Sequence, residues 1–190
     1  MDDARRAPAR HRLDVDAYHH MAAAGILGIA DRIELIEGDL IDMAPIGQEH
    51  AGVVAGLAEA LFVACAGRAI VWPQNPVRLD RWSEPQPDLA VLRRRADFYT
   101  TGQRPIPADV LLLVEVADSS LRYDREVKLP LYARMGIPEL WIVDVQRRLL
   151  EAYRTPHGMG YRDLSTHPSG GELGLVLAPE IKVRLTLAFP

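Results

Sequence analysis

The chain of 190 residues has one cysteine, Cys65, so it can neither close an intramolecular disulfide nor build a cysteine-based zinc site, and a reducing, cytoplasmic setting suits it best. No apolar run approaches the ~18 residues that a membrane span requires, and the charged stretch 1–12 is followed by no hydrophobic leader segment, which fits a soluble protein with no membrane partner. Aromatic residues make up only 6% of the chain, too few for the stacking surfaces of a sugar site. Lysine is nearly missing: of 22 basic residues only Lys128 and Lys182 are lysine, so each is more informative than usual. The 26 acidic residues leave a net charge of −4, and no global field draws the chain onto phosphate backbones. Any nucleic-acid contact must come from a local patch.

What is present is a globular composition, 48% hydrophobic and 25% charged, without repeats or low-complexity segments. Stretch 1–12, with four arginines and no apolar period, reads as a flexible arm before a single domain over 13–190. From Asp14 the spacing of Val15, Tyr18, His19, Ala22 and Ala23 predicts a short helix closed by Gly25. Two alternating runs, 32–37 and 39–43, flank Gly38 and predict a tight hairpin. A long helix is expected over 48–66, with an apolar stripe of Val53, Val54, Leu57, Ala58, Leu61, Phe62 and Cys65. Strands are expected at 69–72, 77–79, 88–92 and 110–116, the last buried on both faces, then a helix over 125–135 and strands at 139–144 and 149–154. In the tail only 182–187 reads as a strand.

Glu115 demands an explanation, because a period of two places it on the face of Leu111 and Leu113 in the most apolar strand. An ionised carboxylate there needs a metal ion, a cation such as arginine, or a set of hydrogen bonds. Asp88 poses the same question at the start of the preceding strand, although it could also cap the turn beside Pro87. An acid at the start of one strand and another near the end of the next can face each other across a sheet. Such an oxygen-rich pair suits magnesium or manganese, and it could alternatively do acid and base work on a sugar, for which the aromatics are lacking. Lys128 opens the following helix and is either a third member of this group or a surface partner of Asp124.

These residues carry a resemblance. Glu34-Leu-Ile-Glu37-Gly-Asp-Leu, Gln48-Glu49-His50, Gln86-Pro87-Asp88-Leu, Glu115-Val-Ala-Asp-Ser-Ser120, and Asp124 through Lys128-Leu-Pro-Leu-Tyr132 to Gly136-Ile-Pro-Glu-Leu-Trp-Ile-Val-Asp144 resemble, in order over about 14–155, the Uma2 family of the PD-(D/E)XK nuclease superfamily. The resemblance implies an α/β fold with a restriction-endonuclease-like core, a mixed central β-sheet flanked by helices, preceded here by an N-terminal helix and a β-hairpin. It also implies that Asp88 and Glu115 are the two signature acids. Ala117 stands where the signature lysine belongs, and Lys128 in the next helix takes that role; Asp118-Ser119-Ser120 replaces the usual Ser-Pro-Ser. Glu37 resembles the extra N-terminal acid, and His50 holds a position where the family often has histidine.

The implied function is a metal-dependent endonuclease on DNA. Asp88, Glu115, the Val116 carbonyl and Glu37 would hold Mg2+ or Mn2+, Lys128 would orient water or stabilise the transition state, and His50 would contact phosphate or move a proton. The candidate DNA surface is a weak, local basic patch of Arg93, Arg94, Arg95, Arg122 and Arg125, with the Arg147-Arg148 turn, whose contacts a homodimer would double. Two other classes compete: a catalytically inactive nuclease-fold protein that binds nucleic acid or a partner protein, favoured by Ala117, and a hydrolase of some other phosphate ester.

Overall fold

The computed structural model describes residues 10–28 and 31–187; most of the expected arm, 1–9, lies outside the described residues. Arg10 to Arg12 run along the hairpin instead of projecting from it, with Arg10 3.0 Å from Asp39. Helix α1 (Val15–Ala23) starts where Asp14 accepts the Ala17 N–H at 2.8 Å, and it gives way to Gly25 at φ +71°. Strands β1 (Ile33–Ile36) and β2 (Asp39–Asp42) pair antiparallel around Glu37 and Gly38, both at positive φ as a two-residue turn demands. Gly38 is required twice over: its φ is +87°, and a Cβ there would lie 2.6 Å from that of Arg12.

Helix α2 (Gln48–Cys65) lies on one face of the central sheet. Its buried stripe is Val53, Leu57, Ala60, Leu61, Ala64 and Cys65, while the expected Phe62 is 54% exposed. The stripe is rotated because a second element also covers this helix: β9 (Glu172–Leu175) and β10 (Ala178–Arg184) form a hairpin whose Leu173, Ile181 and Val183 join the same core. This hairpin corrects the expected tail strand 182–187, whose last residues form a 3-10 turn, Leu185–Leu187.

The sheet has six strands in the order β3 (Ala69–Pro73), β4 (Leu89–Arg93), β5 (Val110–Ala117), β6 (Glu139–Asp144), β7 (Leu149–His157), β8 (Gly160–Pro168). All neighbours are antiparallel except β5 and β6, so the sheet is mixed. β5 is buried along its whole length, and Leu111 is an extra residue in its pairing with β4, which moves that side chain to the α2 face, away from Leu113. The expected strand at 77–79 is a loop: Val77 and Leu79 donate to the carbonyls of Pro85 and Ser83, and prolines at 76, 85 and 87 remove donors that a ladder would need.

The parallel pair is linked by α3 (Leu121–Tyr123), a wider π turn (Asp124–Lys128) and α4 (Leu129–Arg134), a continuous helical path starting four residues before the expected one. Pro130 has no N–H to continue an ordinary ladder, and the Leu129 N–H reaches back to the Asp124 carbonyl. The turn buries both Asp124 and Lys128. On this second face Leu131, Tyr132 and Ile137 pack on Leu92, Leu113, Leu140 and Ile142. No helix among the described residues is long and apolar enough to cross a membrane.

Candidate active site

At the C-terminal end of β5, the β1–β2 hairpin, the start of α2 and the π turn enclose a cavity of about 240 Å³. Six carboxylates line it, from Glu34, Asp42, Asp88, Glu115, Asp118 and Asp124, against the cations Arg32 and Lys128. Five ionisable groups are nearly inaccessible: Glu34, Asp88, Glu115, Asp124 and Lys128 are each at most 7% exposed. Four buried acids around one ammonium form a cation-seeking set.

Asp88 immediately precedes β4 and Glu115 lies in β5, facing it across the ladder that pairs Leu89 with Val114. Asp88 Oδ2 accepts the Val116 backbone N–H at 2.8 Å and lies 3.3 Å from His50 Nε2. Strand alternation aims Glu115 at the α4 face, where Tyr132 Oη donates to its Oε1 at 2.6 Å and Lys128 Nζ lies 3.3 Å from both of its oxygens. The same ammonium is 3.1 Å from Glu34 Oε1, while Glu34 Oε2 accepts the Gln86 N–H at 3.2 Å. Asp124 accepts from Ser120 Oγ at 2.6 Å.

Burial raises the Glu115 carboxyl well above its ordinary value, against the pull of Lys128. Burial alone would lower Lys128, but Glu115, Glu34 and Asp124 hold its ammonium charged, above its ordinary value. The hydrogen bond to Asp88 raises His50, more than burial lowers it, and His50 Nδ1 is buried without a partner.

Of the residues expected at the site, Asp88, Glu115, Val116, Lys128 and His50 come together around one cavity. Val116 presents its N–H to Asp88. Glu37 does not join them: it occupies the hairpin turn and pairs with Arg134 at 2.8 Å on the surface. The acid that the hairpin delivers is Glu34, three residues earlier and inside β1, where the pleat turns it inward. The expected strand run 32–37 includes Glu37, but Ile36 pairs with Asp39, so Glu37 and Gly38 form the two-residue turn and Glu37 lies outside the ladder.

The expected arginine patch is also dispersed. Arg93, Arg94 and Arg95 leave the far end of β4, about 16 Å along the strand from Asp88. Arg93 donates to the Ala108 carbonyl, Arg94 covers the Phe98 ring at 4.3 Å, and Arg95 pairs with Asp97 at 2.7 Å. Arg125 pairs with Glu151 on β7. Arg122 is 88% exposed beside the cavity-lining Tyr123, only 3.9 Å from Glu126, and Arg32, not anticipated, lines the cavity itself.

Among the described residues, no three His, Cys, Asp or Glu side chains converge tightly enough to cage a metal ion by themselves. Magnesium rarely asks for that, since it takes one or two carboxylates and completes its shell with water and substrate oxygens. Asp88 and Glu115, which both line the cavity, fit that requirement.

Comparison with known proteins speaks to the family and the fold. The family Uma2, described as "Putative restriction endonuclease", matches residues 15–188. A crystal structure of "a putative nuclease belonging to DUF820" from Anabaena variabilis ATCC 29413 is similar in fold, with a TM-score of 0.63 and 13% identity over 83% of this chain and 89% of that one. Among curated proteins, none matches. The core is thus restriction-endonuclease-like, and the chain belongs to the Uma2 family of nuclease-type proteins.

Proposed function

We propose that the protein is a divalent-metal-dependent endonuclease that hydrolyses phosphodiester bonds of DNA. The observation that carries this reading is the pairing of Asp88 and Glu115 across neighbouring strands, both opening into one acidic cavity that also holds a buried, charged lysine. Asp88 and Glu115 would hold Mg2+ or Mn2+, with Glu34 behind them as the third acid. Bound there, such an ion supplies neutralisation of phosphate charge and a more acidic water.

The chain's own residues do the rest. Lys128 is kept charged by Glu115 and Glu34 and lines the cavity, so its N–H groups are positioned to donate to a non-bridging phosphate oxygen or to orient the attacking water. It thus serves where Ala117 cannot. His50 and the Val116 N–H fix the Asp88 carboxylate, which makes His50 a positioning residue. Arg32 and the exposed Arg122 supply contacts to neighbouring phosphates.

The test is nicking of supercoiled plasmid with Mg2+ or Mn2+. Wild-type cleavage that vanishes in Asp88→Ala supports the reading. Absence of cleavage by the unmutated chain on DNA with either ion overturns it in favour of the inactive, nucleic-acid- or protein-binding reading, for which the self-neutralising Lys128 bridge between Glu34 and Glu115 speaks.

A further inference from the structure

Burial of the acids limits what can reach them. A phosphate oxygen and a carboxylate oxygen that share one Mg2+ stand at most about 4 Å apart, twice a metal–oxygen bond of about 2.1 Å. Asp88 and Glu115 are at most 7% exposed, so a scissile phosphate has to enter the cavity of about 240 Å³ rather than rest on its rim. The segment Met43-Ala44-Pro45-Ile46-Gly47 lines that cavity and is held at two points: Arg32 Nη1 donates to the Ala44 carbonyl at 2.7 Å, and a Cβ on Gly47 would lie 3.1 Å from Asp118 Oδ2. Ala44, Pro45 and Ile46 are also exposed, Ile46 at 44%, and Tyr123 adds an aromatic side chain to the lining. Apolar lining thus adjoins the acids. Positive charge is sparse here: among the described residues Arg32 lines the cavity and Arg122 stands beside it, but Glu126 is 3.9 Å from Arg122, and Asp42 and Asp118 share the lining.

We infer that the substrate is an unpaired DNA strand, whose phosphate enters the cavity while a neighbouring base lies against the apolar segment 43–47, and not an intact B-form duplex. The inference rests on the metal-dependent nuclease reading and names its substrate class. Two features of a duplex count against it. Its backbone follows a stiff cylinder with a persistence length of about 150 base pairs, so one phosphate cannot turn into a recessed space without its neighbours. It is also held through several phosphates at once, and the arginine run that could have met them, Arg93 to Arg95, leaves the far end of β4. A single strand turns at every nucleotide and leaves each base a free face, and sites for it combine a few cations along the backbone with apolar or aromatic contacts to the bases. Arg32 and Arg122 are those cations, and Ile46 and Tyr123 are those contacts. Negatively supercoiled plasmid remains a substrate, because supercoiling favours local opening of the duplex.

The test offers the full chain, with Mg2+ or Mn2+, an end-labelled DNA oligonucleotide that does not pair with itself, once alone and once annealed to its complement as a linear duplex, with cuts scored away from the ends. The single strand should be cut at least about tenfold faster. Ile46→Ser, at an exposed position outside the core, should raise KM for the single strand by about threefold to tenfold and leave Mg2+ affinity, read by isothermal titration, unchanged. A duplex cut as fast as the single strand, or a KM that Ile46→Ser does not move, overturns the inference and leaves the metal-dependent reading standing. Supercoiled plasmid nicked while both oligonucleotides stay intact also overturns it. If neither plasmid nor oligonucleotide is cut with either ion, the nuclease reading itself falls.

Discussion

The two ends of β4 carry charge of opposite sign, and the neighbours treat the two sets differently. At the start, Asp88 joins Glu115, Glu34 and Asp124 in a cluster whose only buried cation among the described residues is Lys128. At the end, Arg93, Arg94 and Arg95 have a carbonyl, an aromatic face and the Asp97 carboxylate beside them. The acids line a cavity around a single shared ammonium, whereas the arginines satisfy themselves locally. A charge run in a sequence announces a ligand only where the fold leaves its valence unfilled, and that depends on neighbours within hydrogen-bond reach rather than on the run itself.

The sharpest way to break this comparison is at the acid end. Asp88→Ala and Glu115→Ala should each lower Mg2+-dependent plasmid cleavage by about a hundredfold or more, because each removes a ligand from the charge-stabilising machinery. The fold should be retained in both, read by circular dichroism: Asp88→Ala removes one of several crowded like charges, and in Glu115→Ala the Lys128 ammonium keeps Glu34 as its partner. Retention of most of the cleavage rate by either variant would move the chemistry elsewhere.

Lys128→Met comes next. Removing the ammonium leaves Glu115 and Glu34 buried beside each other without their shared cation, which should destabilise the protein by about 3–5 kcal/mol in urea unfolding. Turnover should fall with it, and added Mg2+ should raise the melting temperature of the variant more than that of the wild type, because the ion now enters a site with no resident competitor. An unchanged melting temperature in the apo variant would show that the lysine is not the cluster's counter-charge.

Smaller effects separate the arginines. Arg32→Ser and Arg122→Ser, at the cavity and its rim, should each weaken DNA binding by up to about tenfold and reduce the salt dependence by about one phosphate contact. Replacing Arg93, Arg94 and Arg95 together by Ser should leave both affinity and salt slope nearly unchanged. A flattened slope in the triple variant would restore the far end of β4 as the binding face.

Much of the acid end was legible in the sequence because burial makes an acid conspicuous: Glu115 interrupts an apolar run, and Asp88 follows a proline at a strand start. Lys128 stood out because lysine is so rare here. Glu34 was hidden by a neighbour of the same type, and only the turn geometry of Glu37-Gly38 tells which of the two faces inward. The arginine end misled because the partner of Arg95 is Asp97, two residues on, and a local pair of this kind looks identical to a free charge when only composition is counted. In the fold, β8 escaped detection because it is an edge strand with mostly exposed residues, so no apolar alternation marks it, and α2 was misaligned because the β9–β10 hairpin that rotates its buried stripe lies more than a hundred residues away.

Glu115 in β5 and Asp97 in the loop after β4 respond to pH with opposite sign. Burial raises Glu115 well above 4.5, so the folded state takes up its proton more readily than the unfolded chain does; the stabilisation is complete below 4.5 and is lost as pH rises through the higher folded value. Asp97 is pulled down from 3.8 to about 2, first by the Thr101 hydroxyl and then by Arg95 and the Tyr99 N–H, which outweigh desolvation; its contribution is complete above 3.8 and is lost as pH falls toward 2. Asp97 is solvent-facing, so its share of the acid limb should be small. Thermal melts across pH 2–8 should show Glu115→Gln flattening the gain in stability on mild acidification while leaving the steep loss below pH 4, and Asp97→Asn shaving that loss while leaving the gain. If Glu115→Gln left the mild-acid slope untouched, the carboxyl would already be balanced by Lys128 and Tyr132 in the apo protein, and the acid end would be as self-satisfied as the arginine end.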